Sequence, residues 1–202
     1  MPQAVAPDPS PILRNVGRHI QLTPEESTYF LSLLKPKPLK KGHFLVEAGE
    51  PSTSQSYVLQ GCLRSYHIDQ KGNEHVLQFA PEDWWTGDMG SVMKGTPATL
   101  HVDALEDSLV LRMERNDLEA LFVRVPKFER FFRILVTNAF IAAQARLLST
   151  ISRPAQERYL EFVRLYPALE GRVPQKQIAS YLGMTPEFLS TVRKRARMKE
   201  KK

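Results

Sequence analysis

The run from Phe128 to Ser152 contains neither glycine nor proline, and its apolar residues recur at helical spacing. The spacing predicts one helix of about 25 residues, ~37 Å from end to end. Two apolar stripes run along it. Phe131, Ile134, Asn138, Ile141, Ala145 and Leu148 follow alternating steps of three and four, the seam of a coiled coil, while Phe128, Phe132, Leu135, Ala139 and Ala142 form an adjacent stripe suited to packing on a sheet. One stripe for the core leaves the other for a second copy, with the polar Asn138 fixing register at some cost in stability. The alternative is a single wide core-facing surface on a monomer. At 202 residues and 42% hydrophobic, the chain buries one good core or a larger domain with a small satellite.

The segments before this helix have a different texture. Thr23-Pro24-Glu25-Glu26 is a capping box opening a short helix whose apolar side is Phe30, Leu31, Leu33 and Leu34, and Pro36 and Pro38 are expected to stop it. Residues 44–46, 56–59, 62–68, 74–80, 100–105 and 108–113 are short apolar or alternating runs separated by turn formers such as Gln60-Gly61 and Asp69-Gln70-Lys71-Gly72-Asn73. About eight short strands joined by close turns indicate an antiparallel jelly-roll or barrel-like unit. The proline-rich start reads as a loosely ordered arm and not as a secretory signal, and no apolar run is expected to reach the length of a membrane span. The single Cys62 excludes an internal disulfide framework, suits a reducing cytoplasm and is too little for an iron–sulfur mechanism.

The last thirty residues have the pattern of a helix-turn-helix. Ile178 and Leu182 lie one turn apart, Ala179 is small enough for a second helix to cross closely, and Gly183 permits the tight turn. Thr185 can cap the next helix, Pro186 sits at its first position, and Leu189 and Val192 return to the core. A plain helical hairpin would share part of this pattern, but charge argues for nucleic acid. From Arg172 onward there are nine Lys or Arg against Glu187 and Glu200, a local net of +7 that leaves the first 171 residues at −1 of the chain's +6. A basic module on a near-neutral body fits phosphate neutralisation. Base contacts are expected from Glu187, Ser190 and Thr191, and backbone contacts from Gln175, Lys176, Thr185, Arg193 and Lys194. Lys199, Lys201 and Lys202 are further candidates for phosphate contacts, because the sequence leaves no obvious room for a β-hairpin wing.

A capped N-terminal helix, a β-roll, a long helix, the hinge Ile151-Ser152-Arg153-Pro154 and a terminal helix-turn-helix, in that order, resemble the Crp/Fnr family of transcription regulators over residues 23 to about 197. The most specific parts are Ile178 to Ser190, Trp85-Thr86-Gly87-Asp88 and Val102 to Ser108. The resemblance implies an α+β chain. Residues 1–22 are a flexible arm, 23–125 a cyclic-nucleotide-binding-type β-roll, 126–152 a dimerisation helix and 153–202 a helix-turn-helix domain lacking an obvious wing. It implies a homodimer on double-stranded DNA, with half-sites ~10 bp apart on a palindromic site. RNA polymerase is a candidate further partner.

The effector pocket departs from the family. Gly87-Asp88 matches the start of the cyclic-phosphate cassette loosely, but Ala98-Thr99 stands where an Arg-Ser pair holds the phosphate. Without that guanidinium, only backbone N–H groups, Thr99 and Lys94 remain, so cyclic AMP is not the expected ligand and no cofactor is assigned. The recognition helix also departs, with Pro186 and Thr191 where arginines would face guanine, while Glu187 matches.

Enzymatic readings gain little. Jelly-rolls host metal sites, but the five histidines show no His-x-His pair, and a metal is not expected. His101 and Cys62 are weak haem-ligand candidates, and Trp84-Trp85 reads as β-roll packing in preference to a stacking platform. The competing function is a small-molecule-binding β-roll whose helical tail serves protein contacts in place of DNA.

Overall fold

The computed structural model describes residues 7–200, the side chains of 197–200 excepted. Its elements run α1 (Ser10–Gly17), α2 (Pro24–Ser32), β1 (Lys35–Leu39), β2 (Phe44–Val46), β3 (Ser54–Gln60), β4 (Leu63–Ile68), β5 (Glu74–Ala80) and β6 (Trp85–Thr86). They continue through α3 (Met89–Lys94), β7 (His101–Ala104), β8 (Ser108–Glu114), α4 (Arg115–Arg124), α5 (Lys127–Ser152), α6 (Ala155–Leu165), α7 (Leu169–Arg172), α8 (Gln175–Tyr181) and α9 (Pro186–Glu200). The eight strands form two four-stranded sheets, ordered β1-β8-β3-β6 and β2-β7-β4-β5. Contacts divide the chain into one unit comprising residues up to 65 with 79–136, and another comprising 66–78 with 137 onward.

In the first unit the capping box forms as expected. Thr23 Oγ1 accepts from the Glu26 N–H, and the Glu26 carboxylate accepts from the Thr23 N–H at 2.8 Å. Phe30 on the helix it opens is fully buried. Pro36 and Pro38 end that helix but do not leave a loop. They lie in β1, opposite Leu111 and Leu109 of β8, at the edge of the sheet where a missing N–H interrupts no further ladder. Of the arm expected over 1–22, residues 1–6 lie outside the described residues and the rest is corrected. Ser10–Gly17 is helical, and Ile12 and Val16 are fully buried in a core shared with Phe30, Tyr57, Met113, Leu121, Phe128 and Phe131. Asn15 ties this helix down by donating to the Asp83 carboxylate at 2.9 Å and accepting from Trp85 Nε1 at 3.2 Å. Trp85 packs edge-on to Tyr57 and Phe132, as core, while Trp84 is 37% exposed.

A second apolar cluster holds Val46, Val58, Leu63, Ala80, Val102 and Val110. A buried ion pair lies in this unit: Arg64 Nε and Nη2 donate to the two oxygens of Asp103 at 2.8 and 2.9 Å, with both side chains at most 10% exposed.

The uninterrupted run forms one helix of 26 residues. Its apolar faces are used differently from the expectation. Phe131, assigned above to the dimer seam, is fully buried in the first unit's core, because the helix rotates Phe128, Phe131 and Phe132 together against Tyr57 and Trp85. Ile134 is half-buried, and Asn138, Ile141, Ala145 and Leu148 are exposed. Ala139 and Ala142 of the second stripe are exposed too, beyond the reach of that core. The larger exposed apolar residues Val136, Phe140, Leu147 and Ile151 widen the open face. By length and composition α5 also passes for a membrane span, contrary to the expectation that no run would. Only its first turns, at Phe128, Phe131 and Phe132, are buried in a protein core, and 6% of the apolar window itself is buried.

Candidate nucleic-acid interface

Within the second unit, α6 to α9 enclose a small core of Tyr159, Phe162, Leu169, Val173, Ile178, Ala179, Leu182, Leu189 and Val192. Ala179 is fully buried, which allows α8 and α9 to cross closely. The turn between them is a Schellman motif. The Met184 N–H donates to the Ala179 carbonyl at 2.9 Å and the Gly183 N–H to that of Ser180 at 3.1 Å. Gly183 has φ +64°, the left-handed conformation that such a stop requires. Arg158 Nη1 donates to the Leu182 carbonyl at 2.7 Å and adds positive charge at that helix end. At the start of α9, Thr185 Oγ1 accepts from the Phe188 N–H at 3.2 Å, the cap read from the sequence.

This packing turns one face outward. Gln175, Lys176, Thr185, Glu187, Ser190, Thr191 and Lys194 are all exposed. Arg193 is not among them. Its guanidinium donates to Glu170 at 2.8 Å, its side chain is 15% exposed, and Tyr159 donates to the same carboxylate at 2.6 Å. Helical rotation of one position from Lys194 turns it towards α6 and α7, so its expected phosphate role is replaced by a structural one. The Thr191 hydroxyl donates to the Glu187 carbonyl at 3.2 Å and keeps lone pairs for a base edge. Lys201 and Lys202, and the side chain of Lys199, lie outside the described residues.

The four effector-pocket residues do not converge as a ligand site. Asp88 is buried and caps α3: one oxygen accepts from the Ser91 N–H at 3.0 Å. The other accepts from the Thr99 N–H at 2.8 Å, the Thr99 hydroxyl at 3.1 Å and the Leu100 N–H at 3.2 Å. Burial alone would push this carboxyl's pKa up, but the bonds from Ser91, Thr99 and Leu100 together outweigh it and hold the pKa below the usual carboxylate value. Gly87 has φ +148°, and a Cβ there would come within 3.3 Å of the Ser54 carbonyl, so only glycine fits. Lys94 is exposed at the end of α3 and makes none of these bonds. The adjoining cleft, of about 240 Å³, is lined by Phe44, Glu47, Glu50, Ser52, Ser54 and Arg112. Among the described residues, no group of three His, Cys, Asp or Glu is placed to hold a metal. His75 instead pairs with Asp69 at 3.0 Å across its own hairpin, and His101 Nδ1 accepts from the Ala48 N–H at 3.3 Å.

The described residues form a two-sheet β-roll followed in the chain by a long helix and a capped helix-turn-helix. Residues 36–124 match the cyclic nucleotide-binding domain model. Electron transport regulator A of Shewanella oneidensis is 28% identical over 77% of this chain, and transcriptional activator protein anr of Pseudomonas aeruginosa is 27% identical over 95%. The chain spans 66% of the length of the first and 82% of the second. The structure of FixK2 from Bradyrhizobium japonicum has the same fold, with a TM-score of 0.71 at 20% identity over 83% of this chain and 86% of that one. In sequence and in fold the chain is similar to transcription regulators of the Crp/Fnr type.

Three features at this interface carried no sequence signal. Arg146 and Ser180 read as ordinary polar helix positions, and only the fold brings them to the strand edge described below. The pairing of Glu170 with Arg193 spans 23 residues, a separation that no helical periodicity encodes.

Proposed function

We propose that this chain is a homodimeric, sequence-specific regulator that binds double-stranded DNA in the cytoplasm, with an effector site unsuited to cyclic AMP. The observation that carries the reading is the outward face of α9. Glu187, Ser190 and Thr191 are exposed on a helix capped by Thr185 and backed by α8, and the exposure of Gln175, Lys176 and Lys194 supports contacts with flanking phosphates. Glu187 can accept from cytosine N4, and the two hydroxyls can bond to several base edges. Dimerisation is supported by the open apolar face of α5, where Phe140, Ile141, Leu147, Leu148 and Ile151 are each more than half exposed. Symmetry would then bring two recognition helices to half-sites ~10 bp apart.

Indifference to cyclic AMP is supported by Asp88. Its carboxylate already takes the two consecutive N–H groups of Thr99 and Leu100 that a phosphate would need, and Ala98 supplies no guanidinium. In the adjoining cleft, Glu47 and Glu50 outnumber Arg112, whose guanidinium is already engaged by Glu114 and Ser54.

The half-exposed Phe188 on α9 favours the second reading, in which this tail contacts protein. Selection of bound duplexes from a random pool, at two salt concentrations and with or without cyclic AMP, separates the two. A palindrome enriched equally with and without the nucleotide is the expected result. No enrichment at either salt concentration overturns the DNA reading, and enrichment only with cyclic AMP overturns the assignment of the pocket.

A further inference from the structure

In the second unit, the hairpin strand β5 is the last strand of its sheet, so among the described residues one side of its backbone meets no partner strand. Two side chains seal it. The Ser180 hydroxyl on α8 donates to the Glu74 carbonyl at 2.6 Å and accepts from the Val76 N–H at 2.9 Å. A residue of a neighbouring parallel strand would satisfy the same two groups with its own N–H and C=O. Arg146 on α5 donates through Nη2 to the Val76 carbonyl at 3.0 Å and through Nη1 to the Leu77 carbonyl. The same guanidinium lies 4.2 Å from the centre of the Tyr181 ring, the residue after Ser180. Gln177 Nε2 adds a bond to the Glu74 carboxylate at 3.3 Å. One joint therefore fastens α5, the hairpin and α8.

None of the outward residues Gln175, Lys176, Glu187, Ser190, Thr191 or Lys194 takes part in it, so the joint can act only on the posture of the recognition helix. That posture has leverage. A tilt of about 10° at one end of a helix ~22 Å long moves its other end by about 4 Å, one base-pair step. We propose that Arg146 and Ser180 are positioning residues which fix the angle between α5 and the α8–α9 pair, and so set the half-site spacing that the dimer accepts. The inference rests on the DNA-binding homodimer reading.

The test uses the full chain and the palindrome it selects, with the half-sites moved closer or farther by one and two base pairs. Wild type should prefer its optimal spacing by about 10-fold or more over each neighbour. Ser180→Ala and Arg146→Lys should lose most of that preference while keeping affinity at the optimal spacing within about 3-fold, and should leave discrimination at the base pair read by Glu187 unchanged. Ser180→Ala removes one oxygen from a half-buried site, so it tests the joint even if the arginine variant folds poorly. Parallel loss at every spacing, or an unaltered spacing profile in folded variants, overturns the inference and leaves DNA binding standing. A wild-type protein that enriches no duplex overturns both.

Discussion

Asp88 accepts both the backbone N–H and the hydroxyl of Thr99 on a single carboxylate oxygen, at 2.8 and 3.1 Å. On the proposed reading, the side chain thus takes for itself the N–H groups that a cyclic phosphate would use. Addition of cyclic AMP should leave the Tm of the purified protein unchanged, because a ligand must first displace this carboxylate. A concentration-dependent rise of several degrees in a thermal melt would count against the assignment.

The same group should give stability an acid edge. Its folded pKa lies below the unfolded value of 3.8, so its contribution is complete above about pH 4 and is lost as pH falls through the folded pKa. Asp88→Asn should cost about 2 kcal/mol at neutral pH, since an amide presents one N–H₂ group to donors that need an acceptor. The variant should also lose less stability than wild type on titration from pH 5 to pH 2 in urea melts. An identical acid dependence would remove Asp88 from the account.

Dimerisation through α5 makes a further prediction. Ile141 and Leu148 are 55% and 65% exposed, so a charge at either is compatible with the fold of one chain. Ile141→Glu and Leu148→Glu should yield monomers in sedimentation at micromolar concentration, with far-ultraviolet circular dichroism retained and binding to the palindrome reduced by about 100-fold or more, since only one half-site is then held. Phe131→Glu, in contrast, should fail to fold, because that side chain is fully buried. Dimers that survive both surface charges would place the interface elsewhere.

Local signals were readable in the sequence and long-range ones were not. Thr23 with Glu26, Gly183, Thr185 and the uninterrupted run after Pro126 act through neighbours within about one helical turn, and each has the role its spacing implied. The α1 helix leaves little trace in the sequence, because its proline-rich surroundings mask an apolar pair, Ile12 and Val16, that matters only once a core receives it. β1 leaves none, because Pro36 and Pro38 argue against a strand everywhere except at an edge. In the candidate site, the outward face of α9 followed from periodicity. The inward turn of Arg193 depends on Glu170, whose partner only the folded chain reveals.

That difference separates three charged residues on one helix. Lys194→Ala should weaken binding to every duplex and reduce the slope of log affinity against log salt by about 1. Glu187→Ala should cost ~1–3 kcal/mol at one base pair and leave binding to random DNA nearly unchanged. Arg193→Ala should leave the salt slope alone and lower thermal stability, because it removes the 2.8 Å ion pair with Glu170. Fluorescence anisotropy on the operator and on a scrambled duplex at several salt concentrations, with melts of each variant, distinguishes the three. Equal losses on both duplexes for Glu187→Ala would sink its assignment as a base reader.

The buried pair of Arg64 and Asp103 makes the last prediction. Both side chains are almost wholly removed from water, and each is matched by two parallel bonds to the other. Removing one partner leaves an uncompensated charge in the interior, so Arg64→Met or Asp103→Leu alone should destabilise by about 3–5 kcal/mol. Removing both eliminates the charges together and substitutes apolar surface in a region that already holds Leu63 and Val102. The double variant should therefore be more stable than either single one, and urea melts of the four proteins give the coupling directly. A double variant as unstable as the sum of the singles would mean that the two charges are held by groups other than each other.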